Sequence, residues 1–446
     1  MNNARIIEIQ KPKVIHGKIL KFDIAYSKPI SRFFSSNKLY VEYEEDIGDL
    51  DPSILCIPAV SGVIALAWAT GADLHIETLD QTYLKSLNKI KPLMMRLYPN
   101  FSFSTQIHVE DVVSNNLQNN GYGLLFTGGI DSITSYIKHK EKMPNLIKIW
   151  GAEVAFNDEK NWRKIQKILT DFADGEGVKL HVIRTNIPRV LKKHILYQDF
   201  EMDWWLNVSH GFVLPGSCAP LTCAEGIGTL YFASGDPRED WRSKYWSSLL
   251  NTITWADVEV ILDNYEVSRQ LKIKYFLKDY IKSNSPIFLK VCNVLPTSNC
   301  GKCEKCLRAI IGLIAEGIDP NKCGFNNVDS RTFDLVKKSF VKKTLLSRKR
   351  IVERKSDIED RIAMIYFWED IQKHIPKVIE NDLQGSKEFL EWFRNFNITE
   401  YIQEVQKNTR IPLHYFMYML ILDIIARLPK STQNPARQLL DFIVKI

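Results

Sequence analysis

Alternating apolar and polar positions mark the first strands. HGKILKFDIAYS and NKLYVEYEED interleave β-branched and aromatic residues with charged ones. VSGVIALAWAT and LDQTYLKSLNKIKPLMMRLY then read as helices on either side of a short strand, LHIETL, and FSFSTQIHV reads as a further strand. The apolar stretch from Ile54 to Ala72 is nearly long enough to span a bilayer. Pro58, Ser61, Gly62 and Gly71 interrupt it, and a strand plus a buried helix is expected in place of a membrane span. The polar run SNNLQNNG, ending at Gly121, is the first boundary.

Beyond Gly121 strands alternate with helices. GYGLLF is a buried-strand run leading to a helix from Asp131 to about Lys142; LIKIWGAEVAF, VKLHVIRTN and AEGIGTLYFASGD are further strands. Helices are expected in NDEKNWRKIQKILTDFADGEG and WWLNVSHGFVL. This order predicts an α/β fold with a doubly wound parallel sheet, whose ligands lie beyond the carboxyl ends of its strands. Three domains are expected: an N-terminal α+β domain over 1–118, the α/β domain over 119–327, and an all-helical C-terminal domain over 328–446. In the last, VKKSFVKKTLLSRKRIVERK is basic, read as a solvated helix face, and YFMYMLILDIIARL carries a broad apolar face.

Composition narrows the class. Of 446 residues, 45% are hydrophobic and 25% charged, which is globular and excludes a disordered tail, a fibre or a small secreted scaffold. Lys+Arg 59 against Asp+Glu 52 leaves +7, a mild surplus that permits nucleic acid without indicating it. MNNARIIEIQKPK carries no apolar h-region, so a cytoplasmic location is expected, with reduced cysteines and no membrane partner.

The sharpest chemical signal is LLFTGGIDSITSYI. A buried strand runs into Thr127, Gly128, Gly129, Ile130, Asp131 and Ser132, and a helix begins at once. Paired glycines let the backbone come close to a ligand, hydroxyls flank them, and the helix amino end favours an anion. The loop is therefore a candidate cradle for phosphate or pyrophosphate, with Asp131 capping the helix or placing Mg2+. It is neither GxxxxGK[ST] nor GxGxxG.

Cys292, Cys300, Cys303 and Cys306 form C-x7-C-x2-C-x2-C. Thiolates at this spacing converge on a knuckle that a fourth can close into a tetrahedron, and structural Zn2+ is the expected occupant. An iron–sulfur cluster is the rival, and the Cys-Pro that ends a ferredoxin run is missing. Cys56, Cys218, Cys223 and Cys323 read as core or loop thiols.

TGGIDS resembles the SGGxDS loop of the PP-loop ATP pyrophosphatases, of adenine nucleotide alpha hydrolase-like fold, with Thr127 for the first serine. With the cysteine cluster downstream, Gly121 to Cys323 resembles the QueC-like family, the 7-cyano-7-deazaguanine synthases. IWGAEVAF, DWWLNVSHGF and NCGKCEKCLRAI look more like the longer QatC-type proteins of bacterial anti-phage defence, since QueC enzymes are shorter and lack the flanking domains. The resemblance implies a carbon–nitrogen bond-forming ligase. It would adenylate a 7-carboxy-7-deazaguanine-like carboxylate with ATP, release pyrophosphate, and pass the acyl group to ammonia or to the N-terminus of a partner protein encoded in the same operon. Thr127 to Ser132 would then hold ATP, with Asp131 and Ser132 in catalysis. In SRQLKIKYFL, Lys272 and Lys274 both match a QueC lysine, and Asp236 and Asp240 in FASGDPREDWR fall where QueC has a substrate loop.

Other residues have a bland and a functional reading. Trp204 and Trp205 stack a base or fill the core; His210 is an acid–base group, a substrate contact or structural. Arg308 faces phosphate or offsets the thiolates, and Lys148 and Glu153 flank the end of the second strand, where adenine is expected. Two other functions compete. A sulfur-inserting tRNA-modifying PP-loop enzyme would need a cysteine near the loop, and none lies between Cys56 and Cys218. A non-catalytic partner-binding scaffold would have no reason to keep TGGIDS intact.

Overall fold

The computed structural model describes residues 4–235, 248–284, 286–292, 294–341, 355–378, 383–401 and 403. The chain divides into two compact units, Met1–Asn299 and Cys300–Ile446.

The first unit is α/β. Its strands are β1 (Ile6–Ile9), β2 (Lys13–Ile15), β3 (Ile19–Tyr26), β4 (Lys38–Tyr43), β5 (Asp73–Asp80), β6 (Ile107–Val113), β7 (Gly121–Leu125), β8 (Asn145–Trp150), β9 (Leu180–Thr185), β10 (Ile227–Ala233), β11 (Thr254–Trp255) and β12 (Val258–Asp263). They lie in the order β11-β12-β10-β7-β8-β9-β4-β3-β1-β5-β6, with β2 paired to β3. The run β12-β10-β7-β8-β9 is parallel throughout. The chain steps outward from β7 through β8 to β9, then returns to the other side of β7 for β10 and β12. The winding reverses between β7 and β10, and such sheets hold ligands beyond the carboxyl ends of the strands at that point.

Residues 1–118, expected as a domain of their own, contribute strands to this same sheet. β4 pairs antiparallel with β9, Val41 opposite Thr185, and β3, β1, β5 and β6 extend the sheet from there. The far side is tied back. Buried Asp80 caps the Gln81–Leu97 helix through the Tyr83 amide at 2.8 Å, and the same oxygen accepts the Ala256 amide, beside β11, at 3.0 Å.

The apolar stretch at Ile54 is a short helix, Pro52–Leu55, followed by the helix Ile57–Thr70, where a strand was expected first. Every residue of Ile57–Thr70 is buried, in contact with the helix His210–Ala224 and β5. A helix enclosed on all sides needs no polar face, which is why its sequence looked like a membrane span. No helix among the described residues is long and apolar enough to cross a membrane.

The described part of the second unit is helical: Glu304–Ala315, Ser330–Val341, Lys355–Lys373 and Ser386–Asn395. Phe333, Phe340, Trp368, Phe389 and Phe393 form its core. Residues 415–428, with the broad apolar face, and most of the basic run lie outside the described residues.

Candidate functional site

β7 is buried between parallel neighbours, and its continuation still pairs: the Phe126 amide donates to the Ile147 carbonyl at 2.8 Å. The chain then turns. Gly128 has φ +73°, in the left-handed region that favours glycine, and a Cβ there would stand 3.1 Å from Leu169 Cδ2. Gly129 is extended, and the helix Ile130–His139 starts directly after it. A second segment props the turn from outside. The Lys290 amide donates to the Gly128 carbonyl at 2.7 Å, and a Cβ on Gly129 would sit 3.2 Å from the Lys290 carbonyl. That segment is held by Asn299, whose Oδ1 accepts the amides of Val291 and Cys292 at 3.1 and 3.2 Å and whose Nδ2 donates to Leu289 O at 2.7 Å.

The hydroxyls shape the turn. Ser132 Oγ, buried, donates to Gly129 O at 3.1 Å and lies 3.2 Å from Thr127 Oγ1. Thr127 Oγ1 accepts the Gly129 amide at 3.4 Å. Asp131 does not cap the helix: the capping position is Gly129, with no side-chain cap. Its carboxylate faces Arg269 instead, at 2.8 Å from Nη2 and 3.3 Å from Nε.

Arg269 enters from the helix Arg269–Lys272, whose first turn Ser268 caps by accepting the Leu271 amide. Its Nη2 also donates to Gly235 O at 3.2 Å, and Lys272, fully buried, donates to Ser234 O and stands 3.9 Å from Asp131 Oδ1. Ser234 and Gly235 follow β10, so these two cations link the segment after β10 to the helix that follows β7. Lys148 on β8 and Lys290 lie on the other side of the turn, sharing Glu153. Four cations and two carboxylates are therefore linked by ion pairs on the segments that adjoin the turn, a balance that favours an anion.

Of the two lysines that the sequence left competing, Lys272 stands at this site, whereas Lys274 is exposed on the π-helical turn Ile273–Leu277, 5.7 Å from the Tyr275 ring. His210 opens its helix, with Nδ1 3.0 Å from Trp205 O, and burial pushes its pKa below the ordinary value. Its ring lies 6.3 Å from Phe232, which pairs with Leu125 near the end of β7. Trp204 fills the core against Phe101 and Phe200; Trp205 is only partly buried. Asp236 and Asp240 lie outside the described residues. The sequence singles out neither Arg269, which stands in SRQLKIKYFL, nor Lys290. Only the fold brings 269 and 290 to a loop at 128.

The Sγ atoms of Cys292, Cys300, Cys303 and Cys306 all lie within 4.8 Å of one another, so the four can hold a metal ion such as zinc. Amides already point at the sulfurs: Val294 and Leu295 donate to Cys292 Sγ at 3.3 and 3.2 Å, and Cys303 to Cys300 Sγ at 3.2 Å. Such donors favour thiolates, the form a metal takes. Arg308 forms an ion pair with Glu304 at 3.2 Å and stacks over Phe367 at 4.1 Å. The remaining cysteines differ. Cys56, Cys223 and Cys323 are buried, and burial pushes each thiol up to about 12; Cys218 moves further in the same direction.

Comparison of the chain with protein-family models, with curated proteins and with solved structures finds no match in any of the three.

Proposed function

We propose that this chain is an ATP-dependent carbon–nitrogen ligase of the QueC-like kind, in which residues 127–132 hold the terminal pyrophosphate of ATP. One observation carries the reading: a left-handed glycine turn opens a helix at the reversal point of a parallel sheet, with Arg269, Lys272, Lys148 and Lys290 around it. In the proposed reaction a carboxylate oxygen of a 7-carboxy-7-deazaguanine-like acid attacks the α-phosphorus. The bond to the β-phosphate oxygen breaks, and pyrophosphate leaves with the electron pair. An amine then attacks the acyl carbon, loses its proton and displaces AMP. No enzyme nucleophile is needed; positioning and charge neutralisation supply the rate. Asp131, the carboxylate of the loop, would help hold Mg2+, which would supply charge neutralisation to the phosphates. Zn2+ in the cysteine knuckle would be structural.

Sulfur insertion into tRNA is disfavoured by the thiols outside the knuckle, which are buried and held protonated. The protein is proposed to act with an operon-encoded partner, in anti-phage defence. The test is pyrophosphate release from ATP with 7-carboxy-7-deazaguanine, with and without the neighbouring gene products, followed by mass spectrometry of those products. Carboxylate-dependent release that Gly129→Val abolishes supports the reading. Absence of release under every combination overturns it.

A further inference from the structure

Lys148 has an unusual counterion. Its side chain is 3% exposed, yet Nζ pairs at 2.7 Å with Glu153 Oε2, and the Glu153 side chain is 43% exposed. Burying an ammonium is costly unless a partner compensates it, and a half-exposed carboxylate can swing into water at little desolvation cost. Glu153 reaches in from the loop after β8. Lys290, 12% exposed, stands 3.9 Å from the same oxygen. Two cations thus share one carboxylate, leaving a positive charge available to a second anion. The backbones of both lysines adjoin the strand and turn that carry the glycines. Lys290 donates its amide to Gly128 O, and Lys148 follows Ile147, whose carbonyl accepts the Phe126 amide.

We infer that Lys148 and Lys290 form an oxyanion subsite beside the glycine turn, and that Glu153 occupies it until a ligand oxyanion displaces the Glu153 carboxylate. The inference rests on the reading that the turn holds the terminal phosphates of ATP; the subsite would take the next oxyanion along. That group is either the α-phosphate or the carboxylate of the acceptor, which share the chemistry of a delocalised anion accepting two ammonium donors. Exchange of one anion for another keeps Lys148 neutralised throughout, so no step leaves a bare buried charge.

The experiment is equilibrium titration of the full chain with three probes: inorganic pyrophosphate for the turn, AMP for the α-phosphate and 7-carboxy-7-deazaguanine for the acceptor. Glu153→Gln removes the competing charge and is expected to tighten AMP or the carboxylate by about three- to tenfold. Lys290→Met is expected to weaken the same probe by about tenfold. The probe that responds identifies the oxyanion. Lys148→Met risks misfolding, and Glu153→Gln is itself expected to melt lower because Lys148 loses its partner, so the gain in Glu153→Gln, measured well below a melting transition that stays single and cooperative, is the decisive arm. If Glu153→Gln leaves both probes unchanged or weaker while pyrophosphate binding still depends on Gly129, the subsite is wrong and the turn stands. If pyrophosphate binds neither wild type nor variants, or binds Gly129→Val equally well, both readings fall.

Discussion

Arg269 grips Asp131 with two nitrogens, Nη2 on Oδ2 at 2.8 Å and Nε on Oδ1 at 3.3 Å, while its Nη2 also reaches Gly235 O just after β10, the parallel neighbour of β7. The carboxylate belongs to the first turn of the helix that the glycines open, and the guanidinium to a helix reached more than a hundred residues later. The contact fixes the orientation of the loop from the side of β10. It also places a permanent positive charge where phosphate is proposed to bind.

Arginine and lysine are not equivalent here, because only the planar fork can hold both carboxylate oxygens. Arg269→Lys is expected to lower kcat/KM for ATP-dependent pyrophosphate release by about tenfold, and Arg269→Ala by about a hundredfold. Steady-state kinetics with varied ATP would check it. Equal rates in wild type and Arg269→Ala would remove Arg269 from the site.

Two glycines offer a test of the backbone reasoning. Gly151, after β8, has φ +127°, and a Cβ would lie 1.8 Å from Thr185 O, a backbone atom with no freedom to retreat. Gly177 has φ +68° and nothing within 4 Å. Gly177→Ala is expected to cost about 1 kcal/mol, the ordinary penalty of a left-handed residue. Gly151→Ala should cost several times more, or prevent folding. Thermal unfolding of the two variants compares them, and equal losses would refute the clash.

What the sequence made legible follows the range of the interactions. TGGIDS stood out because its strand, turn and helix are neighbours along the chain, and each residue type has a local reason to be there. The strands LHIETL and VKLHVIRTN and the helix ended by Gly177 were legible for the same reason. LIKIWGAEVAF was read as one long strand, whereas β8 stops at Trp150 because Gly151 leaves extended geometry. The pairing of β4 with β9 could not be foreseen: Val41 and Thr185 meet only because a long excursion returns the chain to β4. Lys148, Glu153 and Lys290 are of the same kind. Alternation left the facing of Lys148 undecided, and it took the register of β8 between β7 and β9 to bury it.

Asp263, at the end of β12, gives a pH dependence with a definite sign. Burial alone would raise its pKa, but hydrogen bonds from His139 and Lys138 outweigh it and bring the carboxyl down from 3.8 to about 2. A carboxylate whose folded pKa is depressed stabilises the native state above its unfolded pKa, and that contribution is lost as pH falls through the folded value. The window is therefore pH 4 down to 2, and the contribution is roughly 2 kcal/mol. Asp263→Asn is expected to unfold more readily than wild type at pH 7, with the gap closing below pH 4. A gap that persists unchanged to pH 2.5 in denaturant titrations would contradict the assignment.

The cysteine knuckle separates metal binding from mere burial of sulfur. Cys303 is partly exposed and accepts no enclosure from the core, so its place within 4.8 Å of three other thiols has no packing rationale. Cys323 is wholly buried, with Sγ 3.6 Å from Asp319 O, and its thiol is held protonated. Cys303→Ser should therefore lower zinc affinity by at least about tenfold while removing little buried surface. Cys323→Ser should cost about 1 kcal/mol of stability and leave the metal content at that of wild type. Chelation should lower the melting temperature of wild type and Cys323→Ser, and change that of Cys303→Ser far less, since metal stabilises only the state that binds it. Metal analysis of the purified chain together with melting curves before and after chelator decides the matter. Zinc retained by Cys303→Ser at the wild-type level, or a melting temperature indifferent to chelator, would leave the knuckle as four reduced thiols.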